Sequence, residues 1–117
     1  MAKYVDGFVI KVKKKNMPAY KKMAKLGKKI WLEYGALDYY ECAADEFVPW
    51  GQGFPKMCNL KKDETILFSF IVYKSKAHRN KVNEKVHADP RMNLDNYDMP
   101  FDPKGFALAG FNVLMSK

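Results

Sequence analysis

The segment ILFSFIVY, residues 66–73, predicts a strand that is apolar on both sides. Successive side chains of a strand point to opposite faces of a sheet. The alternate side chains on one face form a row that is wholly apolar. The row on the other face begins at Leu67, is interrupted by Ser69 and ends at Tyr73. The apolar row comprises Ile66, Phe68, Phe70 and Val72. Both faces of this strand therefore need a cover.

The segments around this stretch alternate between strand and helix patterns. Strands are predicted at 4–12, 36–44, 65–73 and 105–115, and helices at 17–34 and 76–88. Asn16 and Ser75 are favourable N-cap residues, and Gly35 stands where a glycine commonly ends a helix. Pro90 ends the second helix because it disfavours helical geometry at Asp89. The resulting order is βαββαβ.

The first helix is amphipathic, and together with the first strand it holds the excess charge of the chain. Residues 1–35 carry ten lysines against two acidic residues, which accounts for the whole formal net charge of +8. The apolar arc comprises Tyr20, Met23, Ala24, Gly27, Ile30, Trp31 and Tyr34. The opposite arc comprises Lys21, Lys22, Lys25, Lys28 and Lys29. We expect the apolar arc to pack on the sheet and the lysines to face water.

The order βαββαβ predicts one α+β domain, residues 1–117, with a ferredoxin-like fold. Its four antiparallel strands would carry both helices on one face. The rest of the chain offers no further helix to cover the opposite face. The loop 45–64 carries large aromatic side chains that a solvent-exposed loop would leave in water. This indicates that the loop packs against another protein surface.

Two partners could cover the open face. The RNA-recognition motif has the same element order, and its third strand stacks bases on alternate aromatics. Phe68 and Phe70 fit that pattern, but Ile66 and Leu67 stand where it has a basic residue and a glycine. A second copy of the chain is the favoured partner, since symmetric dimers are the commonest oligomers. The predicted dimer interface comprises Ile66, Phe68, Phe70, Val72, Trp50 and Phe54.

Composition excludes several classes of protein. The N-terminal residues lack the apolar run of a signal peptide, and no segment reaches the ~20 apolar residues of a membrane helix. Cys42 and Cys58 form no metal motif, which favours a reduced, cytoplasmic protein. The acidic stretch 93–102 lacks the ligand pattern of a calcium loop. We therefore expect no metal and no cofactor.

Polar residues near the ends of the predicted elements are the candidates for a ligand pocket. They are Asp6, Glu41, Tyr73, His78, Asn83, Arg91 and Asp102. We expect His78 to be hydrogen-bonded to backbone at the edge of the second helix. Whether the pocket catalyses a reaction is left open by these residue types.

Several segments resemble one bacterial family, the YbaA-like proteins of unknown function. They are YVDGFVIKV (4–12), MAKLGKKIWLEYGALDYYEC (23–42), FSFIVYKSKAHRNKVNEKVHADPRM (68–92) and MPFD (99–102). The resemblance implies a dimeric α+β barrel and no established activity. Barrels of this architecture include cofactor-free monooxygenases, although fold alone does not transfer function. The chain departs from the family in its more apolar loop and at Gly105, where an arginine is expected.

Overall fold

The computed structural model describes residues 2–92 and 99–117. These residues form four strands and two long helices in the predicted order, with an additional one-turn helix in the loop. The elements are β1 (Tyr4–Lys13), α1 (Met17–Glu33), β2 (Asp38–Ala43), α2 (Phe54–Met57), β3 (Glu64–Tyr73), α3 (Lys76–Ala88) and β4 (Phe106–Asn112). Short 3-10 turns follow β1 and α3 and precede β4.

The four strands form one sheet in the order β2-β3-β1-β4, and every neighbouring pair is antiparallel. The apolar strand β3 therefore lies inside the sheet, between β1 and β2. This topology confirms the predicted ferredoxin-like α+β fold. The register sets Gly7 opposite Phe70 and Glu41 opposite Ser69. It thereby decides which side chains of different strands share a face.

The helix ends follow local chemistry with one exception. Gly35 has a φ of +107°, and its N–H and that of Ala36 donate to the carbonyls of Leu32 and Trp31 at 3.2 and 3.0 Å. This pattern is the Schellman motif, which satisfies carbonyls at a helix end. The hydroxyl of Ser75 caps α3 by accepting from the His78 N–H at 3.1 Å.

Asn16 does not cap α1, contrary to the prediction. Its side chain makes no capping hydrogen bond, and its Nδ2 instead donates to the carbonyl of Pro100 at 3.2 Å. The side chain thus joins the start of α1 to the segment that leads into β4. A tertiary contact has replaced the local one.

Both long helices pack on the same face of the sheet. Ile30 of α1 and Val86 of α3 are fully buried against Ile71 and Tyr73 of β3. A second cluster joins Tyr20 of α1 to Ile10, Val12 and Leu67. The five lysines of the polar arc of α1 are all exposed, as predicted.

The opposite face of the sheet, called here the open face, is apolar and largely uncovered. Phe68 is 48% exposed and Phe111 is 55% exposed. The ring of Phe70 stacks on Tyr40 at 4.9 Å and meets Phe68 edge-on at 6.1 Å. Gly7 lets the ring of Phe111 lie across β1, since an added β-carbon would stand 3.0 Å from that ring.

Ile66 differs from the rest of its row. It is 3% exposed and shares a recess of about 350 Å³ with Phe47 and Phe54 of the loop 45–64. The chain's own loop therefore covers this end of the open face. Trp50, at 83% exposed, lies uncovered on the same loop.

Candidate functional site

A cavity of about 500 Å³ lies on the helix-bearing side of the sheet. Its walls come from strands and helices whose apolar side chains fail to close on one another. The sheet contributes Phe8, Ile10, Phe106 and Leu108, and α1 contributes Met23, Ala24, Leu26, Gly27 and Trp31. The wall is therefore mainly hydrocarbon and aromatic, as is usual for sites that hold small organic molecules.

Glu41 is the centre of a polar cluster in this cavity. Its Oε1 accepts hydrogen bonds from the Tyr20 hydroxyl at 2.8 Å and from the Ser69 hydroxyl. Its Oε2 accepts from the Tyr39 hydroxyl at 2.7 Å. Tyr39 and Glu41 alternate on β2, so they share the face towards the helices, and the register sets Ser69 opposite Glu41. Three side chains from three elements thus converge on one carboxylate.

The tyrosines of this cluster hold their protons strongly. Burial raises the pKa of Tyr20 above its ordinary value of 10.0, and the negative charge of Glu41 raises it further. The pKa of Tyr39 is raised by the same two causes in the same order. At neutral pH both hydroxyls are therefore donors to Glu41 and do not act as bases.

A second polar cluster joins the sheet to α3. The guanidinium of Arg79 donates from Nε to the two carboxylate oxygens of Asp6 at 3.0 and 3.2 Å, and the Asn83 amide donates to Asp6 at 3.3 Å. The Oδ1 of Asn83 accepts from the Trp31 indole at 2.9 Å and from the Tyr73 hydroxyl at 3.2 Å. Burial, followed by the nearby Asp6 carboxylate, raises the pKa of Tyr73. This cluster fixes the position of the Trp31 ring at the cavity wall.

The end of α3 is held at the edge of the cavity by an ionic cluster. Asp89 accepts hydrogen bonds from the backbone and guanidinium of Arg91 at 2.8–3.0 Å and from the Tyr34 hydroxyl at 2.8 Å. Arg91 also donates to Glu33 at 2.8 Å. Hydrogen bonds from Arg91 lower the pKa of the Asp89 carboxyl. Arg91 is therefore already engaged where it borders the cavity.

Four of the predicted pocket residues line this cavity, namely Asp6, Glu41, Asn83 and Arg91. Tyr73 adjoins it through its hydrogen bond to Asn83. His78 lies elsewhere, where its Nδ1 accepts from the Lys74 N–H at 3.0 Å. Asp102 caps the 3-10 turn before β4 by accepting from the Lys104 N–H at 2.9 Å. The structure thus brings most, but not all, of the predicted set together.

Five residues that build the site are absent from the set of pocket residues predicted from the sequence. They are Tyr20, Trp31, Tyr39, Ser69 and Arg79. Tyr20 and Trp31 belong to the predicted apolar arc of α1, and both pack in the core as that prediction requires. The sequence did hold a signal for the role of these two residues in the site. Each aromatic side chain carries one polar group, and a buried hydroxyl or indole N–H needs a hydrogen-bond partner.

Other predicted features are placed as follows. Among residues 2–92 and 99–117, no group of three His, Cys, Asp or Glu side chains could hold a metal ion. Cys42 and Cys58 are free thiols, the former exposed on the open face.

Residues 93–98, which hold most of the acidic stretch 93–102, lie outside the described residues. In the described part of the chain, no helix is long and apolar enough to cross a membrane.

Solved structures share this fold at low sequence identity. A dimeric ferredoxin-like protein from an uncultured marine organism superposes with a TM-score of 0.66 at 13% identity, and all of both chains is covered. A putative antibiotic biosynthesis monooxygenase from Bacillus cereus superposes with a TM-score of 0.58 at 11% identity, covering 100% of this chain and 98% of the other. At such identities the likeness establishes the fold alone.

Sequence comparison gives a full-length relationship. The uncharacterised protein YbaA of Escherichia coli K12 is 38% identical over 117 residues, covering 98% of this chain and 99% of YbaA. YbaA of Shigella flexneri matches with the same values. The family model described as protein of unknown function (DUF1428) matches residues 3–103. The chain therefore belongs to the DUF1428 family, which confirms the YbaA-like resemblance of its segments.

Proposed function

We propose that this protein is a cytoplasmic, homodimeric α+β barrel protein that binds a small, largely apolar molecule in the cavity of each protomer. The observation that carries the proposal is the cavity itself. Its volume of about 500 Å³ falls within the range of about 300–1,000 Å³ usual for small-molecule sites. A few polar groups, centred on Glu41 and Asn83, converge on an otherwise apolar wall.

The open face supports the homodimer. Tyr40, Phe68 and Phe111 are each about half exposed there, and leaving apolar surface in water costs roughly 25 cal/mol per Å². A twofold axis would bury this face on both copies at once. The solved ferredoxin-like structure from a marine organism is itself described as dimeric. Trp50 would extend such an interface at its rim.

Binding can be tested with the two tryptophans as reporters. Trp31 lines the cavity and Trp50 is exposed on the loop, so their indole N–H signals in a ¹H–¹⁵N spectrum separate the two places. Titration with the neutral aromatic probes 4-ethylphenol and 4-ethylanisole should shift the Trp31 signal saturably and leave the Trp50 signal unchanged.

Two variants of α1 form a matched control. Ala24 lines the cavity, whereas Ala19 is exposed on the same helix. Ala24→Phe should block the shift by filling the cavity, and Ala19→Phe should preserve it. The proposal fails if neither probe moves the Trp31 signal of the unmodified protein.

A cofactor-free monooxygenase-like enzyme is the second candidate. It is favoured by a carboxylate, Glu41, placed where it could accept a proton from a bound substrate, and by the fold shared with the Bacillus cereus protein. Dioxygen would be the oxidant: the substrate itself would supply the four electrons, one oxygen atom would enter the product, and the other would leave as water. With a hydroquinone as substrate, an oxygen electrode should then record faster uptake of dioxygen for the unmodified protein than for Glu41→Gln. Equal rates for both proteins would exclude oxidation of that substrate at this site.

A further inference from the structure

We infer that the cavity selects molecules that donate a hydrogen bond to Glu41, that is, compact apolar alcohols, phenols or amines, and that it rejects anions. The inference rests on the proposed function, because it names the class of ligand for the same cavity. It follows from a count of the donors and acceptors that the Glu41 cluster leaves unused.

Glu41 has acceptor capacity left. A carboxylate has about four lone-pair sites, two on each oxygen. Oε1 receives both Tyr20 and Ser69, which fills it, whereas among residues 2–92 and 99–117 Oε2 receives Tyr39 alone. One acceptor site on Oε2 thus remains for a ligand. No Lys, Arg or His nitrogen among the described residues lies within 4.0 Å of this carboxylate.

The hydroxyls around Glu41 cannot serve as donors to a ligand. Each has a single proton, and the protons of Tyr20, Tyr39 and Ser69 all point to the carboxylate. Their oxygens retain lone pairs. The whole cluster consequently offers acceptors to the cavity, and a molecule bound against it must supply the proton.

The cationic side chains near the cavity are already paired. Arg79 is bound to Asp6, and Arg91 is bound to both Asp89 and Glu33. His87 also borders the cavity, but it is exposed to solvent. Among the residues that the structure describes, an anionic ligand would therefore meet carboxylates and acceptor oxygens without a free buried cation, and removing its charge from water would be uncompensated.

Four matched probes test this selectivity on the unmodified protein. They share one aromatic body and differ in the polar group: 4-ethylphenol, 4-ethylanisole, 4-ethylbenzylamine and 4-ethylbenzoate. From the Trp31 indole shift, we expect the phenol and the amine to bind about tenfold or more tightly than the ether, since a hydrogen bond to a charged acceptor is worth that factor. The benzoate should bind more weakly than the ether.

Variants assign the effect to Glu41. Glu41→Gln should reduce the preference for phenol over ether to less than about threefold, because the acceptor loses its charge. Glu46→Gln, which changes an exposed residue at the separate recess beside Ile66, should leave the preference intact.

The outcomes separate the two proposals. Absence of any Trp31 shift with both neutral probes would overturn the proposed function itself. Equal affinity for phenol and ether, or tight binding of the benzoate, would keep the ligand site and overturn its selectivity. A preference that survives in Glu41→Gln would overturn the role of that carboxylate.

Discussion

The hydroxyl oxygen of Tyr39 lies 3.1 Å from the point where a β-carbon on Gly27 would stand. Glycine in the middle of a helix costs about 1 kcal/mol relative to alanine, so its presence in α1 needs a reason. The reason is the hydroxyl, which passes close to the helix backbone and donates to Glu41 at 2.7 Å. Helix composition and cavity chemistry are therefore coupled at this contact.

The first prediction concerns this pair. Gly27→Ala gains helix propensity but crowds the Tyr39 hydroxyl, so we expect it to change the free energy of unfolding little in the unmodified background. In a Tyr39→Phe background the crowded atom is gone, and the same substitution should stabilise the protein by up to about 1 kcal/mol. Urea unfolding followed by circular dichroism measures both values. Identical effects in the two backgrounds would disprove the coupling.

The second prediction concerns stability at alkaline pH. Burial raises the pKa of Tyr20, Tyr39 and Tyr73 above 10.0 in the folded protein. The unfolded chain releases these protons near pH 10 while the folded chain retains them. The stabilisation is thus complete below about pH 10 and is lost as pH rises above it, by up to about 1.4 kcal/mol per pH unit for each tyrosine.

Urea unfolding at about pH 9 and about pH 11 measures this loss, and variants isolate the tyrosine contribution. Tyr39→Phe should lessen the dependence, because it removes one of the buried hydroxyls that keep their protons in the folded protein. An unchanged dependence in Tyr39→Phe would show that other groups cause it.

The third prediction concerns the assembly. Phe68→Asp places a charge in the centre of the open face and should convert the proposed dimer to a monomer of 13.6 kDa. Leu32→Asp, on an exposed position of α1, should leave the dimer intact. Light scattering coupled to size exclusion gives both masses. If the unmodified protein is monomeric at micromolar concentration, the proposed dimer is wrong. RNA would then be the favoured partner of the aromatic open face.

The fourth prediction concerns a close contact at the edge of the sheet. A β-carbon on Gly110 would stand 2.1 Å from the Tyr4 hydroxyl and 2.8 Å from Nη2 of Arg79. Gly110→Ala must therefore displace both side chains, and with them the ion pair between Arg79 and Asp6. We expect a loss of about 1–3 kcal/mol in urea unfolding, typical of overpacking. Ala109→Ser, which points to the opposite face, should have little effect.

The element order and the faces of each element were predictable because they depend on local periodicity. A helix repeats every 3.6 residues and a strand every two, so the lysine and apolar arcs of α1 could be assigned from spacing alone. The open face followed from the two apolar rows of residues 66–73. Capping was predictable at Ser75 and Gly35, where the partner is the adjacent backbone, but not at Asn16, whose partner is the distant Pro100.

Hydrophobic patterning is enough to specify the fold and its exposed apolar face, since it indicates which side chains leave water. The convergence of Tyr20, Tyr39 and Ser69 on Glu41, by contrast, depends on how the whole chain packs. These three residues lie 2 to 28 positions from Glu41 in the sequence. They meet because β2 pairs with β3 in this register and α1 packs over both strands. The distances between these side chains are set by the packing of the whole chain, so local sequence patterns cannot predict them.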